Sequence, residues 1–168
     1  MAVNRNFEFA DTPEKYRENA GSIMDFFLET LEEANVIEEE TYKKIELVDE
    51  RKKEEGLENQ YLPEDDEIHN EFVEKRMSLA RRTCTDKVIG KTSCNSFGFP
   101  VKYSGVRYEE RKLVFARKNS SLVKISLKWE YGIENEFEFR LKLVDGEWKF
   151  DEIKRIFAPI SQNMSLGL

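Results

Sequence analysis

The sequence has 168 residues and a net charge of −7, with 39% apolar and 36% charged residues. A chain of this length buries roughly 70% of the surface that it exposes when unfolded, so it needs neither disulfides nor a metal ion to fold. No apolar run reaches the roughly 18 residues of a membrane-spanning helix, and residues 1–15 lack the apolar centre of a signal peptide. We therefore expect a cytoplasmic protein with no membrane partner.

The two cysteines, Cys84 and Cys94, are too few for a disulfide scaffold, and their spacing matches no zinc site. In a reducing cytosol we expect two free thiols rather than a disulfide.

The charge is divided unequally along the chain. Residues 1–72 contain 22 acidic and 8 basic residues, a net charge of −14, whereas residues 73–168 contain 12 acidic and 19 basic residues, a net charge of +7. Such a division steers charged partners. It disfavours nucleic acid as a ligand of the first half, and the second half has no arginine-rich cluster or base-stacking motif, so we expect no nucleic-acid partner.

The first half of the chain has helical periodicity. Residues 12–35 carry apolar side chains at three- and four-residue steps, with Thr12 as a candidate N-cap, Pro13 at the first helical position and Asn35 as the stop.

Two further helices are predicted before the strands begin. Residues 38–55 form the second, which ends at Gly56. After a loop around Pro63, a third helix begins with Asp65 or Asp66 as its cap.

After about residue 84 the spacing of the apolar residues changes from three or four residues to two. This pattern predicts an extended segment over residues 97–108 and a short strand over 111–118. It predicts strands with one apolar and one charged face over 122–131 and 135–144. Helices followed by strands predict an α+β fold. We expect one domain over residues 1–168, mainly helical over 1–84 and an antiparallel sheet over 85–160.

Asp145 and Gly146 predict a tight hairpin turn, because both residues tolerate the positive φ that a two-residue turn requires. The register of this hairpin pairs Leu143 with Trp148 and Leu141 with Phe150.

Continued strictly, the same register turns Glu152 and Lys154 inward and leaves Ile153 and Phe157 on the opposite face. Either a β-bulge near Asp151 reverses the alternation, sending Ile153 and Phe157 inward, or a concave sheet carries polar groups at the mouth of a pocket. The cost of burying the two charges favours the bulge.

The segments "FGFPVKYSGVRYEERKLVFARK" (97–118) and "FRLKLVDGEWKFDEIKR" (139–155) resemble the sheet and last hairpin of nuclear transport factor 2-like proteins. Within that superfamily they are most similar to bacterial immunity proteins of polymorphic toxin systems, including Rhs-type toxins. The resemblance implies a cone-like fold in which N-terminal helices pack on a curved antiparallel sheet. It also implies binding and neutralisation of a cognate toxin domain.

We find no catalytic constellation, cofactor motif or metal site in the sequence. His69 is the only histidine and has no triad partner, and the carboxylates of residues 63–67 lack the spacing of a calcium loop. Gly90-Lys91-Thr92 lacks the earlier glycine of a phosphate-binding loop. Asp151 and Glu152 fit either pocket acids or a solvated strand end paired with Lys154 and Arg155, and the second is the commoner arrangement.

The preferred hypothesis is therefore a non-enzymatic immunity protein that occludes its toxin with an acidic surface, since toxins that act on nucleic acid are basic near their active sites. We expect a monomer or a weak homodimer. The candidate partner-binding residues form two acidic clusters: Glu38, Glu39 and Glu40; and Glu64, Asp65, Asp66, Glu67 and Glu71.

Two alternatives belong to other classes. One is a cone-fold enzyme or small-molecule binder with an apolar pocket lined by Phe139, Trp129 and Trp148. The other is an adaptor or dimerisation module that uses its sheet, although charged residues from Glu136 to Lys142 suit a transient partner better than an obligate one.

Overall fold

The computed structural model describes residues 6–92, 97–157 and 162–168. A long helix, a second helix antiparallel to it and a six-stranded sheet make up most of this part of the chain. The helices are α1 (Ala20–Glu55), α2 (Pro63–Thr83) and a single turn, α3 (Asp86–Ile89), and the 3₁₀ turns are Glu14–Tyr16 and Ser104–Arg107.

The predicted break at Asn35 was wrong, because α1 continues through this residue for 36 residues. The side chain of Asn35 is fully buried and exchanges two hydrogen bonds with the backbone of Tyr103. Its amide is therefore satisfied by a distant segment and does not compete with the helix. The predicted end at Gly56 is confirmed, with φ of 71° at that residue.

Thr12 does not cap α1, which starts eight residues later at Ala20. The Thr12 hydroxyl donates to Ala10 O at 2.8 Å and accepts the Arg117 N–H at 3.0 Å. Thr12 therefore joins the N-terminal segment to the sheet.

Helix α2 begins at Pro63 rather than at an aspartate cap. Proline suits the first helical position because its missing N–H would have no partner there. Asp65 lies in the first turn and accepts the Leu62 N–H at 2.6 Å, so it stabilises the helix start from inside the helix.

The six strands follow one another in space in chain order, and only the first pair is parallel. The strands are β1 (Glu8–Ala10), β2 (Lys112–Ala116), β3 (Leu122–Tyr131), β4 (Ile133–Val144), β5 (Glu147–Phe157) and β6 (Gln162–Leu166). The fold is thus α+β, with the helices packed on one face of a curved, mostly antiparallel sheet, as predicted.

Three parts of the sheet differ from the prediction. The edge strands β1 and β6 lie outside residues 85–160 and were not predicted. Residues 97–108 are not a strand: a cis peptide precedes Pro100, and residues 104–107 form a 3₁₀ turn.

The hairpin at Asp145 and Gly146 is confirmed, with φ of 51° and 81° at the two residues. The Leu143–Trp148 and Leu141–Phe150 pairs are present. The ladder then shifts so that Arg140 pairs with Glu152, which leaves Asp151 as the extra residue of a bulge.

This bulge turns Ile153 into the core, where it is fully buried, and leaves Glu152 and Lys154 on the outer face. Phe157 lies on the same face of β5 as Ile153, as predicted for a bulge, but near the end of the strand it is 37% exposed and does not belong to the core.

The core lies between the helices and the inner face of the sheet, and both halves of the chain contribute to it. Phe27 of α1 packs against Phe139 and Phe150 of the sheet, with ring centroids 4.8 and 5.8 Å apart. The outer face of the sheet carries cross-strand ion pairs such as Lys124–Glu138 at 2.9 Å and Lys128–Glu136 at 3.1 Å.

Cys84 follows α2 and is buried, and burial raises the pKa of its thiol to about 11. Cys94 lies outside the described residues, as does any pairing between the two. Among the helices that the structure describes, none combines the length and apolarity needed to cross a bilayer.

Candidate functional site

The side chains of the acidic cluster on α1, Glu38, Glu39 and Glu40, point in three different directions, because successive residues of an α-helix are rotated by about 100°. Glu38 is only 5% exposed and faces inward. Its two carboxylate oxygens accept the backbone N–H groups of Gly98 at 3.0 Å and Lys102 at 3.1 Å. Glu38 therefore holds the segment before β2 in place and presents no carboxylate to a partner.

Glu39 and Glu40 face two different neighbours. Glu39 forms an ion pair with Arg107 at 3.0 Å, and the same guanidinium binds Glu32 at 2.7 Å. The hydrogen bond from Arg107 lowers the pKa of Glu39. Glu40 is exposed and lies 3.3 Å from Lys75 of α2.

The acidic cluster at the start of α2 is paired with the far end of α1. Glu64 forms a bidentate ion pair with Arg51. Asp65 binds Lys52 at 2.7 Å, and this hydrogen bond, followed by that from the Leu62 N–H, lowers the pKa of Asp65. The first turn of α2 is therefore fixed to α1 by charge.

Asp66, Glu67 and Glu71 continue along α2. Asp66 accepts the Tyr61 hydroxyl at 2.9 Å, and Glu67 is exposed. Glu71 binds Lys44 of α1 at 2.6 Å and Lys75 of its own helix at 2.9 Å. The hydrogen bonds from these two lysines lower the pKa of Glu71 to about 2, so it stays ionised throughout the physiological pH range.

Glu40 and Glu71 meet at a groove between α1 and α2, because both contact Lys75. The groove has a volume of about 560 Å³. We call this the acidic groove, and its lining residues are Glu33, Ile37, Glu40, Glu71, Glu74, Lys75, Ser78 and Leu79.

The acidic groove combines apolar and charged groups. Ile37 and Leu79 belong to the buried core and supply its apolar part. Four carboxylates and one ammonium line the groove, an excess of three negative charges. Two flanking cations, Lys44 bound to Glu71 and Arg82 bound to Glu33, reduce this excess to one negative charge. These pairs are half-exposed, and pairs of this kind contribute little to stability. The carboxylates are therefore able to exchange their internal cations for those of a partner.

The two acidic clusters are not one continuous patch. Glu40 and Arg51, the partner of Glu64, are eleven residues apart on α1, which corresponds to about 16 Å at 1.5 Å per residue. Glu71 lies between them along the seam of the two helices.

Glu33 and Glu74 line the acidic groove but were not identified from the sequence as candidate binding residues. The predicted break at Asn35 separated Glu33 from Glu40, although a spacing of seven residues places both on one face of a continuous helix. The matching signal on α2 is the spacing of Glu67, Glu71 and Glu74 at four and three residues.

The residues of the alternative apolar pocket contact other aromatic side chains. Phe139 is fully buried, with the rings of Phe27 and Tyr103 4.8 and 5.9 Å away. Trp129 stacks on Phe137 at 5.7 Å. Trp148 is partly buried beneath the guanidinium of Arg117.

Asp151 and Glu152 lie on the outer face at the bulge. Burial alone would raise the pKa of Asp151, but hydrogen bonds from Arg140 and Thr85 outweigh this effect and lower it. Glu152 lies 3.4 Å from both Lys87 and Lys154. Both acids therefore have cationic partners; Arg155, predicted as one, instead donates to Asn135.

His69 is partly buried on α2. Across residues 6–92, 97–157 and 162–168, no three His, Cys, Asp or Glu side chains are grouped so as to hold a metal ion. Comparison of the chain with protein-family models, with curated proteins and with solved structures finds no match.

Proposed function

We propose that this protein is an immunity protein that binds a toxin domain through the acidic groove and occludes it. The observation that carries the proposal is the groove itself: carboxylates from two helices surround apolar side chains, and Glu33, Glu40 and Glu71 belong to residues 1–72, whose net charge is −14. The resemblance of the final hairpin to immunity proteins supports the same function.

The groove suits a partner that is basic and partly apolar. A lysine or arginine of the partner would replace Lys44 or Lys75 beside Glu71, while an apolar side chain would contact the edge of the core at Ile37. Opposite charges accelerate association, and the apolar contact slows dissociation. A toxin that acts on nucleic acid has the basic surface that this requires.

The proposed interface keeps part of the predicted residue set. Glu40 and Glu71 line the groove and Glu67 lies one turn from Glu71, whereas Glu38 is excluded because it is buried. Glu64 and Asp65 are paired with Arg51 and Lys52 at the far end of α1 and lie outside the groove, as does Asp66, and Glu39 faces Arg107 instead.

The experiment starts with capture of the partner by the tagged full chain from its native lysate, followed by elution in a salt gradient. The captured protein is then expressed alone and together with the immunity candidate, and host growth is measured. We expect the captured protein to arrest growth and co-expression to restore it. A captured protein that leaves growth unchanged when expressed alone would contradict the immunity function.

The placement of the interface is tested separately with two matched triple variants. Glu33→Gln, Glu40→Gln and Glu74→Gln remove three groove charges without changing side-chain size, and Glu130→Gln, Glu134→Gln and Glu147→Gln do the same at exposed positions of the sheet. We expect the groove variant to associate with the partner about tenfold more slowly at low salt and the sheet variant to associate normally. Equal rates would place the interface elsewhere.

A further inference from the structure

A second pocket, of about 390 Å³, lies away from the acidic groove, between α2, the segment before β2 and strands β4 to β6. We call it the cationic pocket. It is lined by Glu38, Arg76, Lys91, Phe97, Gly98, Pro100, Lys102, Phe137, Arg155, Met164, Leu166 and Gly167.

Two cations of this pocket donate to backbone oxygen atoms rather than to carboxylate side chains. Arg76 is 3% exposed, and its guanidinium donates to Ala34 O at 2.9 Å and Leu168 O at 3.2 Å. The Lys102 ammonium donates to Gly167 O at 2.8 Å. Within the described part of the chain, no Asp or Glu side chain forms an ion pair with either residue.

The other two cations lie on the strand side of the pocket. Arg155 donates to Asn135 Oδ1 at 3.2 Å and lies over the ring of Phe137. Lys91 donates to Ser165 Oγ at 2.7 Å. Neither has an acidic partner among the described residues.

Among the described residues, Glu38 is the only one whose carboxylate side chain lines the pocket, and both of its oxygens already accept backbone N–H groups. Four cations therefore face one carboxylate. A backbone carboxylate at Leu168 would add one negative charge, and the cations would still outnumber the anions by two.

This arrangement is electrostatically unfavourable without a further anion. Buried cations that outnumber the neighbouring anions lose hydration that carbonyl groups replace only in part. Burial, followed by the charge of Arg76, lowers the pKa of Lys102 to about 7. An anion in the pocket would relieve both effects.

The walls supply an apolar surface beside these charges, from Phe97, Phe137, Met164 and Leu166. We propose that the cationic pocket binds a small organic anion, whose carboxylate contacts Lys102 and Arg155 and whose apolar body lies against Phe137 and Leu166. This site is independent of the acidic groove, so either proposal can fail while the other stands.

The test uses 2-naphthoate and its neutral isostere 2-naphthamide as probes of the full chain, with isothermal titration calorimetry and ¹H–¹⁵N chemical-shift mapping. We expect saturable binding of the acid, shifts centred on residues 97–103 and 153–155, and at least tenfold weaker binding of the amide. Equal affinity for the two probes, or no binding of the acid at millimolar concentration, would overturn the proposal.

Three variants remove the pocket charges one at a time: Lys102→Met, Arg155→Met and Lys91→Met. Lys102→Met and Arg155→Met are each expected to weaken 2-naphthoate binding by about tenfold or more, because each removes a charge-assisted hydrogen bond to the carboxylate. Lys91→Met removes a neighbouring charge without such a bond and should weaken binding by a smaller factor, and all three variants should leave 2-naphthamide binding unchanged. Lys142→Met, at an exposed outer position of β4, is the matched control and should change nothing. Lys91 is exposed, so its variant reports on the pocket even where the Lys102 variant fails to fold.

Proton uptake provides a readout that a purely structural role of Lys102 would not produce. The titratable and charged groups around Lys102 are Glu38 on α1, Arg76 on α2, Cys84 after α2, Lys91 after α3, Tyr103 beside it and Arg155 on β5. Because burial lowers the pKa of Lys102 to about 7 and a neighbouring anion raises it again, anion binding at neutral pH should be accompanied by net proton uptake. Titration in two buffers of different ionisation enthalpy measures this uptake, and its persistence in Lys102→Met would contradict the role of Lys102.

Discussion

Asn35 and Tyr103 exchange two hydrogen bonds in the core: Asn35 Nδ2 donates to Tyr103 O at 2.9 Å, and Asn35 Oδ1 accepts the Tyr103 N–H at 3.0 Å. Both residues are fully buried. The pair joins the middle of α1 to the segment before β2, and the ring of Tyr103 then packs against Phe137 and Phe139. The helical and sheet halves therefore share a specific polar contact as well as an apolar core.

Asn35→Ala should lower the free energy of unfolding by about 3 kcal/mol, because it leaves two buried backbone groups of Tyr103 without partners. Urea unfolding measures the change. Asn70→Ala, at an exposed position of α2, is the control and should stay within about 0.5 kcal/mol of wild type. Similar losses in the two variants would show that the Asn35 contact does not carry this stability.

Glu38 and Glu40 should respond differently to the same substitution. Glu38→Ala removes the acceptor of two backbone N–H groups and should cost about 2–4 kcal/mol of stability. Glu40→Ala loses one exposed ion pair and should cost less than about 0.5 kcal/mol. Thermal and urea unfolding of the two variants provide the comparison, and a stable Glu38→Ala protein would refute the structural role.

The ion pairs of Glu71 make a small contribution to stability that depends on pH. Its pKa is about 2 in the folded protein, below its ordinary value of 4.5, so the contribution is complete above pH 4.5 and is lost as the pH falls toward 2. Relative to wild type, Glu71→Gln should therefore be destabilised at pH 7 and gradually less so in acid.

Urea midpoints at pH 7, 5, 4 and 3 test this convergence. Glu67→Gln, one turn earlier on the same helix, is the control and should differ little from wild type at each pH. A deficit in Glu71→Gln that is constant across the series would contradict the low pKa of Glu71.

Gly105 lies directly against the indole of Trp129, and a Cβ at this position would overlap the ring. Gly105→Ala should displace Trp129 from its stack on Phe137, lower stability by about 1–3 kcal/mol and change the tryptophan fluorescence. A Trp148→Phe background isolates the Trp129 signal.

Gly21→Ala is the matched control, because a Cβ there meets nothing within 4 Å in the first turn of α1. It should stabilise the protein by about 0.5–1 kcal/mol, since alanine restricts the unfolded chain more than glycine does. A loss of stability in both variants would mean that the contact with Trp129 is not the cause.

Local signals in the sequence predicted the sheet better than the helices. The Asp145-Gly146 turn and the alternation of β3 and β4 depend on neighbouring residues, and the bulge follows from the cost of burying Glu152 and Lys154. The edge strand β1 covers only three residues, too few for a periodic signal, and β6 is as long as β2 but contains only two apolar residues, Met164 and Leu166.

The continuity of α1 depends on a distant contact. Asparagine favours helix ends when its side chain competes for the local backbone, but that of Asn35 is bonded to a residue 68 positions away. For the same reason the acidic residues were identified while their ion pairs were not, since these depend on the register of α1 against α2. The cationic pocket was missed because its members come from separate segments, each with an ordinary spacing.

Helix α1 is about 54 Å long, and its two halves are supported unequally. Its buried side chains run from Ala20 to Thr41, and within the remaining turns Lys52 is the only other one. The distal turns are connected to α2 mainly through charges, which salt weakens. Native-state hydrogen exchange should therefore show that these distal turns open as a separate unit, with an opening free energy well below that of global unfolding. A protease would then cut the 57–62 loop while the sheet remains folded.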